Sequence, residues 1–530
     1  MHHASVLRRV ILLAIVAFLV VASLMYQYLL GSKSTQVITL TTTDFTTCKV
    51  WPDSPPRKSD LEAYEECQGT VHTPYIGDAS VLGNPRRCVP ASTRLGQYRS
   101  SASRNWTEVK WGRVQSQCAS GRHELSPYEN HVHQQWRLPP NVPTEETKSR
   151  NGEKNIAIVL RTWDDYEYTE NRLAWLRALI VEASLQRDDK YRVFFLVNVK
   201  DPDVRLEEDG TAYDEVMHKC VPSEFRDMAL LFNERTLKAW YPQIPEHGAQ
   251  DQMYQALQIF SHRFPQYEYI WQLEMDLRFT SHVHDTLQSA SAFARAQSRH
   301  NLWERNGRFY IPALHNNSYE TFIHTVDVDI GDTGVWGPVS TLDFEPQGPQ
   351  PPPRAKEYWG IGEEADLISF MPMIDPVGTD WVYENGIHGF AEKEAAPRRV
   401  AIVSCTRSSR RLLHLVSEAQ RQRGQWLVSE ATLETFALLH GLKAVTVPHP
   451  IAFHNDMTME ELDANINKGP PSNKAGGELP SLLYTNKGWI DGPWPEASYW
   501  FTGNGAQHMW DAYIRGDQLP PMLLHPVKEK

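Results

Sequence analysis

Two short apolar runs constrain this chain most: Ile156–Leu160 (IAIVL) and Tyr191–Val199 (YRVFFLVNV). Neither alternates polar with apolar residues, so each reads as a strand buried on both faces. Strands of that kind belong to parallel sheets covered by helices. Between the runs, Leu173, Leu176, Ile180 and Leu185 follow near-helical spacing over Leu173 to Leu185. Strand, helix and strand in so short a span form a βαβ unit, whose crossover is right-handed.

The alternation continues along the chain. The patterns predict a helix over Asp251–Phe264, a strand over Tyr267–Leu273 and a helix over Asp285–Arg299. After the Pro-rich loop Gln347–Arg354, helical signal returns over Gly362–Phe370. A strand at Val400–Ser404, helices at Ser409–Gln422 and Glu430–His440, and a strand at Lys443–Val447 follow. The fold class expected is α/β, with an open, mostly parallel sheet in a domain spanning residues 151–455. In such sheets ligands bind at the carboxyl ends of the strands.

Ahead of this domain, Val10–Leu30 is an almost unbroken apolar run, close to the ~20 residues a membrane-spanning helix needs. Arg8 and Arg9 precede it and only Lys33 follows closely, which keeps residues 1–9 cytosolic and sends the rest across. A single-pass type II protein of the secretory pathway is expected, with its body lumenal; a cleaved signal peptide is the alternative. The architecture points to the Golgi. Residues 31–75, rich in Thr, Ser and Pro, read as a stem, residues 76–150 as an irregular extension, and residues 456–530 as an irregular C-terminal extension. The sequons at Asn105 and Asn316 offer glycosylation sites on the lumenal side. Of six cysteines, Cys48, Cys67, Cys88 and Cys118 would act as disulfide staples in an oxidising compartment, with the pairing left open. The net charge of -12 argues against a nucleic-acid partner, since nothing would neutralise a run of phosphates.

Chemistry concentrates in few places. Glu274-Met275-Asp276 directly follows the apolar strand YEYIWQL. Carboxylates at i and i+2 of an extended chain share a side and could hold one Mn or Mg ion, which would neutralise a departing diphosphate. Ordinary edge carboxylates are the plain alternative. Asp327-Val328-Asp329, followed by Asp332, has the same spacing behind a weaker strand pattern, Thr321–Val326. In Trp359–Asp366 (WGIGEEAD), glycines permit close approach of the backbone. Glu363, Glu364 and Asp366 there could deprotonate an acceptor hydroxyl, or could merely cap a helix. His449, just past KAVTV, is a further metal-ligand candidate; His388 and His454 stand out less. Arg161, Asp164 and Asp165 close the first strand, where an α/β sheet meets a nucleotide.

The strand ending in Glu274-Met275-Asp276 resembles the strand-plus-DxD arrangement of GT-A glycosyltransferases. Trp359–Asp366 is similar to their glycine–acid acceptor loop, with Glu363 where Asp is commoner. The stretches VLRTWDDYEYTENRLAWLRALIVEASL, QLEMDLRFTSH, YWGIGEEADLISF, RRVAIVSCTRSSRRLL and ALLHGLKAVTVPHP, with WTEVKWGRVQSQC upstream, resemble a fungal family of membrane-anchored proteins known only as a domain of unknown function. The resemblance implies a nucleotide-sugar donor, a Mn or Mg cofactor and a glycan or glycoprotein acceptor. A lumenal glycoside hydrolase with paired carboxylates and a non-catalytic carbohydrate-binding protein are the rival readings.

Overall fold

A computed structural model describes residues 65–66 and 76–529, except 102–104, 121–127, 143–154, 187–190, 332–333, 336–337, 340–344, 353–357, 378–383, 394, 454–456 and 468–493. The membrane-run prediction at Val10–Leu30, the stem apart from residues 65–66, His454 and Asp332 lie outside the described residues. No helix among those described is long and apolar enough to cross a membrane.

A central sheet of seven strands organises the body: β1 (Asn155–Trp163), β2 (Tyr191–Asn198), β3 (Ala229–Phe232), β4 (Tyr267–Glu274), β5 (Leu367–Ser369), β6 (Cys405–Ser409) and β7 (Ala444–Thr446). Their spatial order is β7-β5-β6-β4-β1-β2-β3. All neighbours pair in parallel except β6, which runs antiparallel to both β4 and β5. The sequence-based α/β expectation therefore holds, with a mostly parallel sheet. Ala157, Ile158 and Val159 on β1 and Phe195 and Val197 on β2 are fully buried, as unalternating apolar runs require.

Five helices matter for the site: α1 (Glu170–Ser184), α2 (Gln255–Arg263), α3 (Val283–Ala296), α4 (Arg410–Glu418) and α5 (Ser429–His440). The Thr169 side chain accepts from the Arg172 amide and starts α1. Gly441, at φ 67°, ends α5 in the left-handed region and turns the chain into β7.

Four expectations shift. The helical signal at Gly362–Phe370 is a turn leading into β5, because Leu367, Ile368 and Ser369 are fully buried sheet residues. The strand expected at Val400–Ser404 begins at Cys405, with Val400 making only a bridge to Ile374. Thr321–Val326 is not a strand but part of the helix Tyr319–Ile330. The two extensions expected to be irregular are folded into the main body. Helices Trp111–Ser120 and Tyr128–Trp136, and helix Gly505–Arg515 with strand Leu523–Leu524, all belong to the unit spanning Thr47–Lys530. Trp106, Trp111, Trp500 and Trp510 from these segments join the same core as the sheet. Hydrogen bonds to two buried carboxylates tie the N-terminal segment down. Glu224 accepts from Trp111 Nε1 at 2.9 Å and from Arg177 Nη2 at 2.7 Å, and Asp227 accepts from the amides of Gly112 and Arg113. Cys220 and Cys405 are free, buried thiols; Cys48 and Cys67 lie outside the described residues.

Candidate metal centre at the carboxyl edge of the sheet

The strand order reverses between β1 and β4: β1, β2 and β3 proceed outward on one side, and β4 returns to the other. In open α/β sheets the loops at such a point diverge, and the crevice that binds ligands forms at the carboxyl ends. Arg161 of β1 and Glu274, the last residue of β4, are register partners at that point. Arg161 Nη2 lies 2.9 Å from Glu274 Oε1. Nε and Nη1 of Arg161 are buried and meet no hydrogen-bond partner among the described residues, so donors remain for a ligand.

The chain turns after Glu274, with the Leu277 amide donating to the Glu274 carbonyl, and Arg278–Phe279 pairs antiparallel with Leu523–Leu524. That pairing delivers the C-terminal segment to the crevice. The Val527 amide donates to the Asp276 carbonyl, and His525 Nε2 lies 2.9 Å from Glu274 Oε2 and 3.1 Å from Asp276 Oδ1. One ligand atom from each of Glu274, Asp276 and His525 lies within 4.8 Å of the other two.

The protonation of His525 is constrained by its other nitrogen. Nδ1 faces the Trp500 carbonyl, which can only accept, so Nδ1 carries a proton. A neutral ring would then aim a lone pair at two carboxylates. A cation must sit between them: either a second ring proton or a metal ion. Without metal the proton wins. Burial works against the charged ring, but the charge and hydrogen bond of Asp276, joined by Glu274, push the His525 pKa up to about 10. Asp276 shifts the opposite way: burial alone would raise it, yet His525 and Arg278 hold it below its ordinary value. Two carboxylates and an imidazole make a mixed oxygen–nitrogen ligand set that fits a divalent ion.

Further groups border the crevice. The Asp164 amide donates to the Asn198 carbonyl, and Asp164 Oδ1 is buried without a partner among the described residues. Asp165 is exposed and ion-paired with Lys200 at 2.7 Å, so the two neighbouring acids differ in role. Trp163 keeps 41% of its surface exposed and meets Tyr166 edge-on, forming an aromatic rim. Glu430, in the first turn of α5, lies within electrostatic reach of Asp251, Glu274 and Arg161. Burial, reinforced by Asp251 and Glu274 and only partly opposed by Arg161, pushes its pKa up to about 7. Glu434, one turn further, is fully buried, and burial holds it well above the carboxylate range.

The remaining sequence candidates lie elsewhere. Glu363, Glu364 and Asp366 precede β5 at the amino edge of the sheet, since Asp366 accepts from Ser409 Oγ at 2.7 Å and Ser409 is the register partner of Tyr269. From Tyr269 to Glu274 the strand runs roughly 17 Å at ~3.4 Å per residue. The structure therefore does not bring these acids to the metal group. Each is held by arginine: Glu363 by Arg299 at 2.6 Å, Glu364 by Arg407 at 3.1 Å, Asp366 by Arg411 at 2.6 Å. Lys443 Nζ donates to the carbonyls of Arg295, Gly360 and Glu363, and burial lowers its pKa to about 8. His449 is walled in by Phe370 and Tyr499, and burial drives its pKa down to about 3. It stands outside the ligand group, and His525 takes the third place. Asp327 and Asp329 sit on a helix, where i, i+2 side chains diverge; they engage Asn301 and Arg308 respectively. Asn105 and Asn316 are exposed.

Two site residues carried little signal. His525 stands in the apolar tail LLHPV, where only its polarity among apolar neighbours marks it. Glu430 opens a helix that the periodicity does predict, but acids there are common as caps.

A model of the family described as "Protein of unknown function (DUF3405)" matches residues 87–529, a span that includes every site residue from Arg161 to His525. No curated protein and no solved structure matches the chain.

Proposed function

The chain belongs to that family, and from its site we propose that it is a divalent-metal-dependent glycosyltransferase, moving a sugar from a nucleotide-sugar donor to a glycan or glycoprotein acceptor. The observation that carries this reading is the convergence of Glu274, Asp276 and His525 at the switch point of the sheet. Those three side chains would hold the ion, and Arg161 would meet the diphosphate beside it. Bound there, a divalent cation would neutralise negative charge building on the leaving diphosphate. The imidazole ligand favours Mn over Mg, whose preferred partners are oxygens. Asp164 and the Trp163 rim would border the nucleoside.

We assign the general base to Glu430. A base works best with a pKa near the working pH, and Glu430 is placed at about 7 close to Glu274. The acceptor oxygen bonds the anomeric carbon as the sugar–phosphate bond breaks. The electron pair leaves with the diphosphate, and the hydroxyl proton passes to the Glu430 carboxylate. The apolar run Val10–Leu30 behind Arg8 and Arg9, with exposed sequons at Asn105 and Asn316, supports a lumenal body on a membrane anchor in the secretory pathway, for which the Golgi is our proposal.

The test is thermal unfolding of the detergent-solubilised full chain against nucleoside diphosphates, with and without Mn. Joint stabilisation by Mn and one nucleotide is expected, and its loss in Asp276→Asn. No shift with any nucleotide would sink the donor site. Nucleotide binding without sugar transfer would favour a non-catalytic binding protein.

A further inference from the structure

Glu274 and Asp276 stand on a turn, and a turn aims its side chains only as firmly as its backbone is held. Every carbonyl from Glu274 to Leu277 is engaged. The Glu274 carbonyl accepts from the Leu277 amide, and the Asp276 carbonyl accepts from the Val527 amide at 2.8 Å. The Met275 and Leu277 carbonyls, on either side of Asp276, both accept from Nη1 of Arg278, at 2.8 and 2.9 Å. One guanidinium nitrogen thus grips the turn at both flanks of Asp276.

Arg278 is fully buried, so its charge needs compensation. Its Cζ lies 5.5 Å from the Trp175 ring and 5.7 Å from the Trp510 ring, within the range of cation–π attraction. Its Nη2 lies 3.4 Å from Glu529 Oε1. Glu529 is itself fixed. Its Oε1 accepts from Trp510 Nε1 at 2.8 Å, its amide donates to Gln507 Oε1 at 2.9 Å, and its carbonyl accepts from Arg172 Nη2 at 2.8 Å. A rigid guanidinium can meet two carbonyls through one nitrogen and an acid through another. The compact ammonium of lysine cannot span them.

The charge of Arg278 also reaches Asp276, and with His525 it holds that carboxyl below its ordinary pKa. Without the Glu529 charge, Asp276 would be left to balance Arg278, and a carboxylate drawn to an arginine turns away from an ion. Ligand groups need holding to within about 0.5 Å of their working positions, so a small displacement suffices to spoil the set.

On the reading of Glu274, Asp276 and His525 as metal ligands, on which this rests, we infer that Arg278 is a positioning residue of the metal group. Glu529 acts through it, and the pair locks the turn so that Glu274 and Asp276 face one ion.

Mn titration of the detergent-solubilised full chain, followed by electron paramagnetic resonance, reads both the affinity and the surroundings of the bound ion. Glu529→Gln keeps the shape and removes the charge; Arg278→Lys keeps the charge and removes the fork. Each is expected to weaken Mn binding about 10- to 100-fold and to change the spectrum of the bound ion. Glu363→Gln breaks an arginine pair at the other edge of the sheet and should do neither. Thermal unfolding checks that each variant is folded, and Glu529→Gln decides should the lysine variant not fold. Parent-like affinity and spectrum in either folded variant would overturn the positioning role while the metal reading stands. An equal loss in Glu363→Gln would trace the effect to general destabilisation and overturn it as well. A parent chain that binds no Mn would sink the metal reading, and the positioning role with it.

Discussion

His525 Nε2 lies 3.1 Å from Asp276 Oδ1, across 249 positions of the chain. The contact depends on a two-residue strand pairing, Leu523–Leu524 with Arg278–Phe279, and on the Val527 amide donating to the Asp276 carbonyl. The C-terminal segment is thus a wall of the site. Replacing a ligand should be severe. His525→Ala is expected to lower Mn affinity by more than ~100-fold, since even partners that only orient a ligand are worth 10–100-fold. Mn titration followed by thermal unfolding checks this. Mn affinity within a few-fold of the parent would remove His525 from the ligand set.

Arg161 places a positive charge beside the proposed ion, through its 2.9 Å contact with Glu274. Its removal should act on metal and nucleotide in opposite directions. Arg161→Met is expected to tighten Mn binding several-fold, by relief of ~1 kcal/mol of partly screened repulsion, and to weaken nucleoside diphosphate binding. Separate titrations of Mn and of nucleotide read the two signs. A loss of both would mean that Arg161 acts by holding Glu274 in place.

Glu430 gives a pH dependence of defined sign. Its folded pKa, about 7, lies above the ordinary glutamate value. The folded state therefore keeps its proton where the unfolded chain has released it, and stability falls as pH rises from about 4.5 to 7. Glu430→Gln removes that loss. It should be more stable than the parent by up to ~3 kcal/mol at pH 8, and no more stable at pH 4.5. Urea unfolding at the two pH values tests this. Transfer activity in the parent should rise through pH 7, and the Gln variant should lose it.

The acids before β5 serve here as a check on the base. Each is paired with an arginine at the edge of the sheet away from Glu274. Glu363→Gln is expected to lower stability by ~1–2 kcal/mol, because Arg299 loses its partner, while turnover per folded molecule changes less than about twofold. A thousandfold fall in turnover with unchanged stability would return the base to Glu363.

Glu224 probes whether the N-terminal segment is part of the body. Its carboxylate joins Trp111 and Arg177 in a buried cluster. Glu224→Ala leaves buried Arg177 with only the part-exposed Glu170, 3.5 Å away, as counter-charge and should cost ~3 kcal/mol. Chemical denaturation that remains a single transition would place the segment in one cooperative unit. An early transition of its own would separate it.

The sequence by itself determined the sheet. Unbroken apolar runs such as Ile156–Leu160 and Tyr191–Val199 call for a sheet covered on both faces, and strand YEYIWQL carried Glu274 and Asp276 to its carboxyl end. Those are local signals, set by periodicity within a few residues. The tertiary structure decided which groups meet there. His525 reaches the carboxyl edge through a distant strand pairing, Glu430 acquires its pKa from burial and from Asp251, Glu274 and Arg161 on three other segments, and Glu363 is carried to the opposite edge by the direction of β5. Proximity between distant segments, and the loss of water that gives a buried charge its chemistry, exist only once the chain has folded.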